Sequence, residues 1–245
     1  VPAGAPAKSS RTPLLVIGGV LLVALAVGAV VQLTQDDSSG DSGSLPSPQD
    51  LPSDTVAVIS GAAASLETVT QSDFRRALAQ AAAQAEVEPV PAPGDEKYDE
   101  LREKALGEVL DSVWIQGQAK EMGVSVTPGE ISRELKKLKK QSFKTEKQYE
   151  EFLQEAHFTQ ADVNERVTIQ LLSQEIQDMI SRRGSSEDER QKAFADFVKR
   201  YESRWRSRTV CAPAFAIEHC SNGEQAATPQ GGDSAGAPKE IPGAG

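Results

Sequence analysis

The feature that most restricts the fold lies between Leu101 and Ile180, where apolar residues recur at helical spacing through four consecutive segments. Leu106, Leu110, Val113 and Trp114 fall at i, i+4, i+7 and i+8, one face of a helix that Met122-Gly123 ends, because glycine takes the left-handed position after a helix without a Cβ penalty. Thr127-Pro128-Gly129-Glu130 opens the second segment: the threonine caps, the proline occupies the first helical position, and the glutamate three residues on closes a capping box. Ile131, Leu135 and Leu138 form its apolar stripe. Thr145 with Gln148 repeats the signal ahead of Tyr149, Phe152 and Leu153, and Thr159 with Asp162 does so ahead of Ile169, Leu172, Ile176 and Met179. A period of about 3.6 residues throughout, with no strand-like alternation, predicts an all-α unit.

The same pattern continues outward. Ser186 with Glu189 caps a fifth stretch in which Phe194, Phe197, Val198, Tyr201 and Trp205 share one face, the spacing of a core-facing helix. Upstream, an alanine-rich helix is predicted over 71–86 with Phe74 and Leu78 as anchors, and the proline-rich run 89–94 breaks the chain after it. Val56-Ala57-Val58-Ile59, bounded by Gly61, is too short for an independent helix and rich in β-branched residues, hence a strand.

Residues 114–143 (WIQGQAKEMGVSVTPGEISRELKKLKKQSF) and 149–176 (YEEFLQEAHFTQADVNERVTIQLLSQEI) resemble the N-terminal chaperone module of SurA/PrsA-type extracytoplasmic foldases, the actinobacterial type above all. The shared marks are a Trp-Ile near a helix end, a Gly-Val-x-Val-(Ser/Thr) turn, here ending in Thr127, and a lysine-rich helix ending in Ser-Phe. A Tyr-x-x-Phe-Leu follows, then a Thr-x-x-Asp before Arg-Val and Leu-Leu-Ser. The likeness is spread over roughly residues 55–208; Ile59-Ser60-Gly61 departs from the family's usual Val-Asn-Gly. It implies a helical binding module for unfolded or nascent exported proteins, without a catalytic site or cofactor. Larger relatives insert a parvulin-type prolyl isomerase domain before the last helix, whereas here only residues 181–185 separate the two helices. The resemblance also implies that chain from the C-terminal part closes the first strand. Ala214-Phe215-Ala216-Ile217 is the segment available, and an antiparallel pairing with Val56–Ile59 is expected, giving an all-α fold with a small two-stranded β pairing.

The flanks set the compartment. Residues 14–31 carry no charged or polar side chain, and eighteen such residues span about 27 Å as a helix, near the ~30 Å hydrocarbon core. Lys8 and Arg11 precede this stretch and Asp36 and Asp37 follow it, so the positive-inside bias leaves residues 1–13 in the cytoplasm, a transmembrane helix at 14–33 and the remainder outside. A cleaved signal peptide is the alternative, with Ala24-Leu25-Ala26 as its site. Residues 34–54 read as a flexible acidic linker, 55–220 as the helical domain and 221–245 as a disordered tail. Between Asp54 and Cys220 there are 23 basic and 29 acidic side chains, which argues against general nucleic-acid binding.

Chemistry-bearing patterns are sparse. His157 and His219 lie in no nucleophile or zinc-protease motif, and Cys211, His219 and Cys220 lack a fourth partner for zinc, so no catalytic or metal site is expected. Cys211 and Cys220 are the chain's two cysteines and lie outside the membrane in this topology, which predicts a disulfide. Arg133, Lys136, Lys137, Lys139, Lys140, Lys144 and Lys147 face only Glu134 and Glu146 over fifteen residues, either a solvated face or a contact for anionic headgroups, cell-wall polymer or acidic clients. Trp114-Ile115 and Leu171-Leu172 place neighbouring apolar residues about 100° apart on a helix, which fits either a wide core stripe or a client groove for which Trp114, Ile115 and Leu171 are the candidates. Three functions fit. One is an ATP-independent chaperone-like protein on its own membrane anchor. The second is a scaffold for one dedicated envelope partner. The third, a prolyl isomerase, follows from family naming alone.

Overall fold

The computed structural model describes residues 45–223. The expectations for the cytoplasmic N-terminus, the span at 14–33, the first part of the linker and the tail from 224 onward lie outside the described residues. No helix among the described residues is long and apolar enough to cross a membrane.

Strand β1 (Thr55–Ile59) is the centre of a three-stranded antiparallel sheet in the order β2-β1-β3, with β2 at Thr68–Thr70 and β3 at Thr209–Cys211. Val56, Ala57 and Ile59 are each 0% exposed, which is why β1 shows an unbroken apolar run instead of alternation. Its expected partner is corrected by the structure: Ala57, Val58 and Ile59 pair with Cys211, Val210 and Thr209, not with residues 214–217. Pro213 has no N–H to give a ladder, and Pro213–Phe215 forms a 3-10 turn that presses Phe215 edge-on against Phe74, 5.0 Å between ring centres. The strand duty passes to the β-branched pair Thr209-Val210 just after the last helix. On the other edge β2 was not expected; it is three residues long, below the length at which alternation is readable.

Six helices complete the described fold: α1 (Gln71–Gln84), α2 (Tyr98–Met122), α3 (Pro128–Ser142), α4 (Glu146–Glu155), α5 (Gln160–Ser181) and α6 (Glu187–Ser207). The predicted caps form. Thr127, Thr159 and Ser186 make reciprocal capping boxes with Glu130, Asp162 and Glu189, Thr145 accepts from the Gln148 N–H, and Gly123 ends α2 at φ 69°. Thr70 and Asp73 make one more box, at the start of α1.

The main core gathers β1, α1, α2 and α6 around Phe74, Leu106, Leu110, Trp114 and Trp205. A chain of buried hydrogen bonds crosses it. Trp114 Nε1 donates to Thr209 Oγ1 (2.9 Å), Thr209 Oγ1 donates to the Trp205 carbonyl (2.8 Å), and Trp205 Nε1 donates to Gln118 Oε1 (3.1 Å). Each polar tip of the two indoles is thereby satisfied while its ring stays dry. A second cluster (Ala119, Leu172, Ile176, Ile180) joins α2, α5 and α6, and a third (Phe143, Tyr149, Phe152, Ala156) belongs to α4 and the turns around it. Cys211 and Cys220 are disulfide-bonded, Cα atoms 5.7 Å apart, and both are buried. Asn222 just beyond them exchanges two hydrogen bonds with the Cys211 backbone (3.2 and 3.0 Å). On the N-terminal side, the Ser53 and Asp54 carbonyls accept from the Gln71 side chain and backbone.

Candidate functional site

Helix α5 does not pack flush against α1 and α2 along its whole length, and the space left is a cleft of about 630 Å³. Its floor is apolar: Val69 from β2, Val109, Val113 and Ile115 from α2, Ile169 from α5 and Phe197 from α6. The α5 wall presents Gln170, Ser173, Gln174 and Gln177, polar groups that resist being driven into a dry contact.

The rim is braced by polar pairs. Arg166 on α5 reaches Glu108 on α2 at 3.1 Å and Gln80 on α1 at 3.4 Å, with its guanidinium 4.7 Å from the Phe158 ring centre. Arg76 on α1 lies 3.0 Å from Asp73 and 3.6 Å from Asp162. Ser112 Oγ donates to Glu165 (3.1 Å), and Gln80 Nε2 donates to the His157 carbonyl (3.3 Å). His157 itself turns the chain out of α4 with φ 54°. Long side chains thus hold α5 at a distance that direct apolar packing would close.

Tyr201 on α6 also lines the cleft. It is 6% exposed, and its hydroxyl has no hydrogen-bond partner among the described residues. Burial, reinforced by the negative charges of Asp111 and Glu202, pushes that phenol well above the usual tyrosine range. His219 from the disulfide loop sits 3.4 Å from Asp111 and 5.2 Å from the Trp114 ring centre, in room left by Gly107. Burial pulls the His219 imidazole down, but the hydrogen bond and charge of Asp111, with Glu218, outweigh it and raise its pKa. Burial also raises the Glu202 carboxyl.

The sequence candidates separate here. Ile115 lines the cleft while packing on both larger clusters. Trp114 does not: it is 3% exposed and belongs to the core, because its indole N–H is used by Thr209. Leu171 is half-buried on α5 and lies off the cleft lining. The basic residues lie elsewhere too. Arg133, Lys136, Lys140 and Lys144 are exposed; Lys137, Lys139 and Lys147 are ion-paired with Glu134, Glu146 and Glu151, and Lys139 also covers the Tyr149 ring at 3.9 Å. Val69, Val109, Ile169 and Phe197 carry no sequence signal as lining residues: Ile169 and Phe197 read as helix core, and Val69 and Val109 belong to no pattern that stands out. Among the described residues no group of three His, Cys, Asp or Glu could hold a metal ion.

Residues 9–177 match the profile of the SurA-like N-terminal domain, more than half of the chain. Neither a comparison with curated proteins nor one with solved structures yields a match. The matched segment ends within α5, so α6, β3 and the disulfide loop, which complete the sheet and one wall of the cleft, lie beyond it. On that match, the chain belongs to the family of SurA-like N-terminal domains.

Proposed function

We propose that this chain is a membrane-anchored, extracytoplasmic chaperone-like protein that binds unfolded exported polypeptides in the α1–α2–α5–α6 cleft, without ATP and without catalysing prolyl isomerisation. The observation that carries the reading is the cleft, about 630 Å³ with an apolar floor and a glutamine-lined wall. A space of this size takes one or two large apolar side chains of an extended segment, within the usual range for binding pockets of roughly 300–1,000 Å³. Amide side chains on the wall can meet the segment's own backbone groups without selecting a sequence. Burial of apolar surface supplies the driving force, so release needs only competition from the client's own folding. Family membership supports a chaperone-type module, and the anchor and compartment rest on the apolar run at 14–31 with its asymmetric flanking charges.

The test is suppression of aggregation of several unrelated unfolded proteins by the full chain, with no nucleotide present. Ser173→Trp, which fills the cleft from a half-buried position on α5, should abolish the effect with helicity unchanged. The rate of cis/trans exchange in an X-Pro peptide should not change. If the chain prevents no aggregation at stoichiometric excess, the chaperone reading fails and a scaffold for one dedicated envelope partner replaces it.

A further inference from the structure

The charges around the cleft are unbalanced. Among the described residues its lining includes five carboxylates (Asp73, Glu108, Asp111, Asp162 and Glu165) and two cations, Arg76 and Arg166. Both guanidiniums are already engaged, Arg76 with Asp73 and Asp162, Arg166 with Glu108. Among the described residues Glu165 has no cation within ion-pair distance and accepts from the Ser112 hydroxyl, while Asp111 faces His219. No lysine among the described residues lines the cleft, although α3 nearby in sequence is crowded with them. Tyr201 supplies an independent sign of an unfilled place: a cleft-lining residue, 94% buried, whose hydroxyl is left without an acceptor. A buried donor without an acceptor is costly, and a client's backbone carbonyl satisfies it where binding shifts the ring enough to uncover the hydroxyl.

Resting on the reading of the cleft as a client site, we infer that it selects unfolded segments in which apolar residues are flanked by lysine or arginine, and rejects those flanked by acids. The apolar side chains enter the floor. The flanking cations stay at the rim beside Glu165 and Asp111, where they remain partly hydrated and need no desolvated pairing. Two such rim pairs, each of the strength of an exposed ion pair, amount to about tenfold in affinity. The preference must fall with salt, since rim charges are screened over ~10 Å at 0.1 M and ~3 Å at 1 M.

The experiment uses two fluorescent peptides with the same apolar centre, one flanked by lysines and the other by glutamates, titrated with the full chain at 0.05 and 0.5 M NaCl. Expected is about tenfold tighter binding of the lysine-flanked peptide at low salt, shrinking to about twofold at high salt. The Asp111→Asn/Glu165→Gln double variant should lose most of the preference while still binding both. Equal binding of the two peptides at low salt, or a preference unmoved by the double variant, overturns the charge selection and leaves the cleft reading standing. Binding of neither peptide, or binding that Ser173→Trp does not reduce, overturns the cleft reading itself.

Discussion

Gly117 sits in the middle of α2, where helix propensity alone says that alanine would be better by about 1 kcal/mol. The structure reverses that expectation. A Cβ at 117 would come within 2.8 Å of Trp205 Cζ2 and 2.9 Å of Cζ3, and closer still to Cη2, where carbon contacts settle near 3.5–4.0 Å. Trp205 is 0% exposed and tied through Nε1 to Gln118, so its ring has no free volume to enter. Overpacking of this kind costs about 1–3 kcal/mol, and straining the indole hydrogen bond about 1 more. Set against the propensity gain, Gly117→Ala should destabilise by roughly 1–3 kcal/mol. Urea unfolding followed by circular dichroism and by the fluorescence of the two tryptophans measures it. At an m-value of about 2 kcal/mol/M the midpoint should fall by about 0.5–1.5 M. Trp205→Phe, which shortens the ring at the contact, should cost less in the Gly117→Ala background than in the wild type, giving a coupling of about 1 kcal/mol or more. A Gly117→Ala variant as stable as the wild type, or more so, would refute the argument that α6 reaches α2 through this gap.

Reduction of Cys211–Cys220 should cost about 2.7 kcal/mol on the chain-entropy model for a loop of this length, read as a lower urea midpoint in reductant; a shift under about 0.3 M would mean that β3 and its turn hold without the link. Tyr201→Phe should leave stability unchanged or raise it by up to about 1 kcal/mol, since the hydroxyl it removes is buried and unpartnered; a loss beyond 1 kcal/mol would reveal a partner for it. The raised pKa of His219 makes a signed prediction. Its contribution to stability is fully present below the ordinary histidine value of about 6.5 and is lost as pH rises through the higher folded value, so His219→Gln should narrow the stability difference between pH 5.5 and 8.5. Glu202→Gln should stabilise at neutral pH, because burial opposes the charge that the carboxylate carries there, and the gain over wild type should shrink on acidification.

What could be read from the sequence was local. A cap is a contact between residues three apart, so Thr127 with Glu130, Thr159 with Asp162 and Ser186 with Glu189 carry their helix starts wherever the helices later pack. Gly123 ends α2 for an equally local reason, its left-handed φ. The disulfide too was legible, since the chain's two cysteines allow one pairing. Strand partners are not local. The pairing of β1 with Thr209–Cys211 instead of residues 214–217 depends on where α6 delivers the chain and on a proline without an N–H at 213, and β2 has too few residues to announce itself. The cleft is the extreme case. Two neighbours about 100° apart on a helix either share a wide core stripe or divide between core and groove, and the spacing of Trp114 and Ile115 does not choose between these. Only packing decided which: Thr209, ninety-five residues away, holds the Trp114 indole in the core and leaves Ile115 to the cleft floor. The cleft's width was decided the same way, by Arg166, Glu108, Arg76 and Asp162 meeting across helices distant in sequence, where the first three read as solvated surface charges and Asp162 as a cap.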